Sequence, residues 1–405
     1  MICLVRLRIP CIDGHRRQAS SVLRYLALLT LFSILTLDGG VSAQATQPEQ
    51  RSSLTEALVS APSSLKLPLG LAPQRFQIPA DNPLSEAKIE LGQLLFFDSR
   101  LSADNSVACA TCHSPEIAFS DNVRLSAGIN ARLGTRNAPA LINRIGGSEQ
   151  FRDGRAMTLE DQAKDPLVNP RELGMSNYAA VVSKLQSISE YRAMFEKAFE
   201  REVNIEDLAR AIASFERTIV SWNSRWDQFI AGDISVLTKS EMRGLILFQG
   251  KGRCTQCHSG WNLTDEKYHN IGIGWDLPEP DVGRFAVTKN ENSRGAFRTP
   301  TLRDVALTGP YMHDGRFETL EEVVEYYSSG VIANPYLDVE MQRSNLSLEE
   351  TLELYSQENQ AKRRIDFPVQ NLELTDQETA DLVAFMEALA GEGWQEISAP
   401  DDFPK

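Results

Sequence analysis

The chain has 405 residues, of which 24% are charged and 42% are hydrophobic, and its formal charge at pH 7 is −14. These values are typical of a soluble globular protein that is long enough for two hydrophobic cores. The negative charge argues against a nucleic-acid-binding protein, which would need a basic surface.

Residues 1–43 have the pattern of an export signal. Arg16, Arg17 and Arg24 precede the apolar run YLALLTLFSILTL, and small residues end the segment at Ala43. Those 13 residues are typical of a signal peptide and short for a membrane span, although an uncleaved anchor is the alternative interpretation. Cleavage would release the mature chain into the periplasm of a Gram-negative bacterium, with no membrane insertion.

The rest of the chain is expected to be helical after a flexible, polar lead-in. A helix with Ser85 as its N-cap leads into CATCH, and KSEMRGLILFQGKGRCTQCHSG repeats that order 145 residues later. Strand-like alternation is sparse. We therefore predict an all-α (mainly α) fold with two copies of one domain that share an interface. The predicted boundaries are a lead-in at 44–77, domains at 78–231 and 232–396, and a tail at 397–405.

Two more helices are predicted from their apolar faces and their caps. An apolar stripe from Leu208 to Phe229 predicts one long amphipathic helix, with Asn204 at its start, that contributes to core packing. Near the C-terminus, Thr375 and Glu378 have the spacing of a capping box, and Gly391 is expected to stop that helix.

The four cysteines after the signal segment form two CxxC pairs, and each pair is followed directly by histidine. The residues are Cys109, Cys112 and His113 in the first copy, and Cys254, Cys257 and His258 in the second. A structural zinc site would need four ligands, and a thioredoxin-like dithiol would need a βαβ setting. Duplication, export and helical character favour covalent c-type haem, with the histidine as an axial iron ligand.

The segments that contain these motifs resemble the bacterial diheme cytochrome c peroxidase superfamily, and in particular its MauG-like branch. Similar segments include GTRNAPAL, DGRAMTLEDQAKDPLVNPRELG, YHNIGIGWD and RGAFRTPTLRDVALTGPYMHDGRFETLEEVVEYYSSG. The resemblance implies two cytochrome c-like haem domains. Hydrogen peroxide would react at the N-terminal haem, and the C-terminal haem would relay electrons.

The resemblance also implies a catalytic group at the first haem. The loop RLSAGINARLGTRNAP contains no histidine, and Ile129 stands where some relatives have an iron-capping histidine, so the iron face would be open. Gln162, Pro166 and Glu172 match the residues over that face, where Glu172 would move a proton during O–O cleavage. The alternative for Glu172 is an exposed loop carboxylate.

At the second haem, the resemblance implies Tyr327 as the sixth iron ligand. Met312 is the rival, since thioethers are common ligands in cytochromes c, and a packed aromatic is the alternative role for Tyr327. His313 is expected to be a structural or propionate-contacting residue.

The resemblance further implies one calcium ion, held by the Asn137 side chain and the carbonyl oxygens of Thr308 and Pro310; for Asn137 alone, a turn-stabilising role is the alternative. One departure is Arg152, which replaces a tryptophan that relatives place between the haems. Arginine cannot relay electron holes. Electrons would therefore tunnel directly or pass through another aromatic such as Trp261, or the coupling between the haems would be weaker than in MauG-like relatives.

Three functions follow from this sequence. The first is a periplasmic peroxidase supplied with electrons by a small c-type cytochrome or cupredoxin. The second is a MauG-like enzyme that oxidises side chains of a partner protein. The third is a non-catalytic diheme electron carrier.

Overall fold

The computed structural model describes residues 68–338, 341 and 371–405. The predicted export signal and most of the predicted lead-in lie outside these ranges. Within them, no helix is both long enough and apolar enough to cross a membrane.

The described residues are mainly helical, as predicted, and the strands among them are only two residues long. The α-helices in these ranges are α1 Glu86–Phe97, α2 Cys109–Cys112, α3 Leu159–Val168, α4 Tyr178–Gln186, α5 Ser189–Phe199, α6 Ile205–Glu216, α7 Arg225–Ile230, α8 Lys239–Gln249, α9 Phe285–Thr288, α10 Leu320–Ser329 and α11 Asp376–Glu387. The strands are β1 Ser221–Trp222, β2 Tyr268–His269, β3 Phe297–Arg298 and β4 Glu392–Gly393. β1 pairs with β4 and β2 with β3, both antiparallel.

The same helix crossing occurs twice, once before each CxxCH motif. In the first, α1 packs on α6, and the rings of Phe96 and Phe215 lie 5.1 Å apart. In the second, α8 packs on α11, and the rings of Phe248 and Phe385 lie 5.2 Å apart. Each crossing is the centre of its own hydrophobic core cluster. Such a repeat is expected of a duplicated unit, although the two-domain division at 231/232 itself stays a prediction.

A glycine permits the close approach at each crossing. A Cβ on Gly92 would collide with the backbone of Ala211, and a Cβ on Gly244 would collide with that of Asp381. Each glycine lies one helical turn before the phenylalanine of its crossing. In each crossing, the glycine therefore allows the two helices to approach closely, and the phenylalanine one turn later packs at the contact.

The prediction of one long helix from Asn204 to Phe229 is wrong. α6 ends at Glu216, β1 follows, and α7 begins only after Ser224. Asn223 adopts a left-handed conformation, and Ser224 forms a capping box with Asp227, so a new helix starts there. The apolar stripe is nevertheless core, because its first half packs in the first cluster and its second half against the second.

The predicted caps at Ser85, Asn204 and Thr375 are confirmed, since each side chain accepts a hydrogen bond from the backbone three residues on. α11 ends at Glu387, four residues before the expected stop. The part of the predicted lead-in that the structure describes hydrogen-bonds to the helical body, where Gln77 N donates to Ile145 O over 2.6 Å.

Candidate active site

The first CxxCH motif lies at the wall of a cavity of about 390 Å³, called here the first cavity. Cys109 and Cys112 are the end residues of the short helix α2, and His113 follows it. His113 Nδ1 lies 3.2 Å from the carbonyl oxygen of Phe119. Because a carbonyl can only accept, Nδ1 is the protonated nitrogen and Nε2 keeps its lone pair for a ligand.

The second motif lines a separate cavity of about 220 Å³, called here the second cavity. Cys254 starts a short 3-10 turn, and His258 Nδ1 lies 3.1 Å from the carbonyl oxygen of Leu263. This arrangement repeats that of His113, and it again leaves Nε2 available. The wall is mostly apolar and includes Tyr327 and Met312.

The pKa shifts of these histidines and cysteines agree with a haem site better than with a zinc site or a redox-active dithiol. Burial lowers the pKa of His113 and of His258, so both imidazoles are neutral and can bind iron. Burial raises the pKa of Cys112 to about 11 and that of Cys254 to about 12, which disfavours the thiolate that zinc binding or disulfide exchange requires. All four cysteines in the described residues are free thiols.

One other group of potential metal ligands occurs in the described ranges, namely Cys257, Asp265 and His269. His269 is hydrogen-bonded to Asp338 over 2.7 Å and to Asp265 over 2.9 Å. The bond to Asp338 is the largest cause of a pKa of about 11 for His269. His269 is therefore an imidazolium without a lone pair, and the zinc alternative gains no support.

Each cavity is thus lined by two thiols and by a neutral histidine whose Nε2 is free to bind a metal. The residues fit covalent haem at Cys109 and Cys112 in the first cavity, and at Cys254 and Cys257 in the second.

The three residues predicted to act on peroxide come together in the first cavity. Gln162 and Pro166 lie on α3, and Glu172 follows in the next turn, where its Oε1 accepts a hydrogen bond of 2.8 Å from Asn169. The Gln162 Oε1 atom is buried and has no hydrogen-bond partner among the described residues. A buried, unpaired acceptor needs a donor, and a hydroxyl group of a ligand would satisfy it.

Burial is the largest influence on Glu172 and raises its pKa, while the nearby Arg155 lowers it. A carboxyl whose pKa is shifted toward neutrality can both accept and return a proton at physiological pH. Glu172 is therefore a partly buried residue of the cavity wall, unlike the exposed loop carboxylate of the alternative interpretation.

Ile129 is buried and its side chain packs against Gly174, while its backbone N–H donates to Glu172 O over 2.9 Å. It is not part of the first cavity's lining. Among the described residues that form this wall, His113 is the only histidine and no methionine occurs. This composition agrees with an iron whose second face is open.

The two neighbouring tyrosines differ in what their hydroxyl groups contact. The Tyr326 hydroxyl donates to Ile271 O over 2.7 Å, and it lies outside the lining of the second cavity. Tyr327, in contrast, lines that cavity. Burial raises the pKa of Tyr327, so ionisation of its phenol would require a bound cation such as iron.

The side chain of Asn137, the predicted calcium ligand, makes two hydrogen bonds in the structure. Its side-chain oxygen accepts a hydrogen bond from Arg152, and its amide group donates to Val123 O over 3.1 Å. Among the described residues, no hydrogen bond to the carbonyl oxygen of Thr308 or of Pro310 occurs, and their part in the site stays a prediction. The oxygen expected to bind calcium is therefore already bound to a guanidinium.

Arg152 lines both cavities, whereas Trp261 lines neither. Trp261 instead packs beside Gly146 and Phe76. His313, expected to be a structural or propionate-contacting residue, stacks on Phe297 with ring centroids 3.7 Å apart and lines the second cavity.

Comparisons with known proteins agree with this geometry. A profile of the di-haem cytochrome c peroxidase family matches residues 86–235. The methylamine utilization protein MauG of Methylophilus methylotrophus is 39% identical over 280 residues, which are 68% of this chain and 82% of that protein. The chain belongs to the di-haem cytochrome c peroxidase family. The predicted resemblance is confirmed.

Another relative and a solved structure are also similar to this chain. The cytochrome c551 peroxidase of Pseudomonas aeruginosa is 40% identical over 250 residues, which are 60% of this chain and 72% of that protein. Among solved structures, a MauG-like protein associated with microbial copper homeostasis is 31% identical, with a TM-score of 0.66 over 83% of this chain and 96% of that one. This di-haem peroxidase family member is therefore an oxidoreductase of the cytochrome c peroxidase type, with two haem groups.

The sequence alone did not identify Glu216 as a residue of the first cavity in this di-haem peroxidase. Glu216 ends α6 in the wall of the first cavity, is only 3% exposed, and has an Oε2 atom without a partner among the described residues. Its spacing of four from Ile212 already placed it on the apolar stripe. Burial raises its pKa to about 8, with Glu160 adding to the shift and Arg217 and Arg144 opposing it.

Replacing Glu216 with Gln should weaken the pH dependence of stability. A carboxyl with a raised pKa keeps its proton in the folded protein, while the unfolded chain loses it, so wild-type stability falls as pH rises from about 5 to about 8. Melting temperatures of the holoprotein across this range should therefore decline less in Glu216→Gln. The exposed Glu90→Gln is the control, and parallel curves for Glu216→Gln and wild type would contradict the assignment.

Proposed function

We propose that the protein is an exported, periplasmic peroxidase that reduces hydrogen peroxide to two molecules of water, with two protons and two electrons. The observation that carries this proposal is that Glu172 lines the first cavity together with Gln162, whose buried Oε1 atom has no hydrogen-bond partner among the described residues. The location rests on the sequence pattern of residues 1–43. The two-domain division at 78–231 and 232–396 belongs to the same proposal and is supported by the repeated helix crossing.

His113 and His258 would each hold a haem iron, with thioether bonds at the adjacent cysteine pairs. A haem held by His113 would supply the redox chemistry that cleaves the O–O bond. The protein's own contribution is proton transfer: Glu172 takes the proton from one peroxide oxygen and returns it to the other, which leaves as water. Asn169 holds the carboxylate in place over 2.8 Å.

Gln162 and Pro166 orient the peroxide. Gln162 Oε1 accepts a hydrogen bond from a peroxide hydroxyl group, which satisfies the buried acceptor. Pro166 lies inside α3, and its carbonyl oxygen accepts from Leu173 N over 3.1 Å, which holds the turn that presents Glu172. Electrons enter through the second cavity from a small c-type cytochrome or cupredoxin.

The test is steady-state peroxide consumption by the holoprotein with a reduced c-type cytochrome or a reduced cupredoxin as donor. The proposal expects two molecules of one-electron donor oxidised for each peroxide consumed. No oxidation above the rate without enzyme for either donor class would overturn the peroxidase assignment.

Oxidation of a partner protein is the second candidate, because MauG is among the relatives at 39% identity. It would appear as a mass change on a partner protein incubated with enzyme and peroxide. Peroxide turnover with no such mass change would favour the first candidate. The enzymatic relatives disfavour the non-catalytic carrier.

Tyr327→Phe should remove the proposed sixth ligand of the second haem. The low-spin ferric signal of that haem in electron paramagnetic resonance is expected to shift or disappear, because no phenolate oxygen remains to bind iron. Tyr326→Phe is the matched control, since its hydroxyl group bonds to Ile271 O outside the cavity lining. A signal unchanged in Tyr327→Phe would reassign the ligand to Met312.

A further inference from the structure

Arg152 forms no direct ion pair among the described residues, and the carboxylate of Asp314 acts on it only from a greater distance. Its guanidinium donates to the carbonyl oxygen of Asn137 over 2.8 Å and to the side-chain oxygen of the same residue. Among the described residues, no carboxylate lies within ion-pair distance of it. A guanidinium held by two neutral oxygens has the partners of a bound metal cation.

The surroundings of Arg152 join the segments that carry the two CxxCH motifs. The Asn137 N–H donates to His313 O over 2.9 Å, and the Arg298 N–H donates to Arg152 O over 2.7 Å. Arg152 and Arg298 both line the first and the second cavity. Hydrogen bonds of Asn137 and Arg152 therefore connect the first half of the chain to the second.

Local charge disfavours a further cation at this position. Arg136 is neutralised by Asp153 and Asp281, each at 2.6 Å, and Arg298 has Glu266 at 3.3 Å. Arg152 lies near both of these cations, and only the more distant Asp314 offsets its charge. A divalent ion on the Asn137 oxygen would compete with Arg152 for the same lone pairs and would be repelled by its charge.

We infer that Arg152 takes the place of the calcium ion at the contact between the two halves, so that this protein is stable without calcium. The predicted calcium ligand Asn137 keeps its linking role, but its oxygens bind a guanidinium that is part of the chain. Arg152 is a positioning residue in this proposal, because it acts through Asn137 and His313.

The direct test is the calcium content and calcium response of wild-type holoprotein. Elemental analysis after desalting should find well under one calcium per chain. The melting temperature and the ferric haem spectrum should agree in calcium chloride and in EGTA, with melting temperatures within about 1 °C. One tightly bound calcium per chain, or a loss of stability in EGTA, would overturn the inference.

The variant Arg152→Gln tests whether Arg152 is the reason that the protein binds no calcium. The variant frees the Asn137 oxygens and adds a neutral one, so it should gain calcium and melt higher in calcium chloride than in EGTA. Arg192→Gln, on the exposed side of α5, is the control and should show no calcium response. An Arg152→Gln holoprotein that gains no calcium response would overturn the replacement.

If Arg152→Gln does not accumulate as holoprotein, the variant Asn137→Asp tests whether residue 137 binds Arg152 or calcium. With Arg152 in place, the new carboxylate should form an ion pair with the guanidinium, and calorimetric titration with calcium chloride should give no binding heat. Stoichiometric calcium binding by Asn137→Asp would show that the position prefers the metal, and would contradict the inference.

Discussion

Replacing Glu172 with Gln is expected to lower the rate of peroxide reduction by about two to four orders of magnitude, the usual contribution of a general acid–base group. Glutamine keeps the size of the side chain and its contact with Asn169, but it cannot accept and return a proton. The measurement is steady-state consumption of peroxide with a reduced c-type cytochrome. Haem content should be unchanged, because Glu172 bears no attachment role.

The control for Glu172→Gln is Glu90→Gln, an exposed carboxylate that pairs with Lys197 on the surface. It should retain wild-type turnover. A Glu172→Gln enzyme that keeps more than about half of the wild-type rate would remove Glu172 from the proposed proton transfer, since a general base is worth far more.

The double substitution Cys109→Ser with Cys112→Ser should have the other large effect. Serine cannot form the thioether bonds, so the denatured protein should carry one covalent haem where the wild type carries two, and peroxide turnover should fall to background. Mass spectrometry of the denatured chain measures the haem count. The assignment of covalent haem to this pair is contradicted if two haems remain.

Cys254→Ser with Cys257→Ser is the matched counterpart. It should also lose one covalent haem and steady turnover, because electron entry is removed. The ferric protein should nevertheless still react with peroxide, since the first cavity is intact. This separates the two proposed haem roles, which loss of turnover alone cannot do.

The helix caps and the CxxCH motifs could be predicted from the sequence, because each depends on only a few neighbouring residues. Ser85 and Thr375 cap helices because a hydroxyl group bonds to the backbone three residues on, and this needs no tertiary information. The two CxxCH motifs likewise carry their ligands within five residues.

Features that depend on distant contacts were not predictable. The break after Glu216 follows from pairing of β1 with β4, which lies about 170 residues further along the chain. An apolar stripe cannot distinguish one long helix from two short ones that pack in different cores.

The contact of Arg152 with Asn137 joins residues 15 apart through a loop, so sequence alone identified the substitution but not its partner.

We propose that the iron held by His113 has an open face beside Glu172 in the resting enzyme. The most direct measurement is titration of the fully ferric holoprotein with hydrogen peroxide in the absence of any reductant. With an open iron face, haem absorption should change immediately, and the change should be complete at a stoichiometric amount of peroxide. A spectrum that stays unchanged until the protein has first been partly reduced would contradict it.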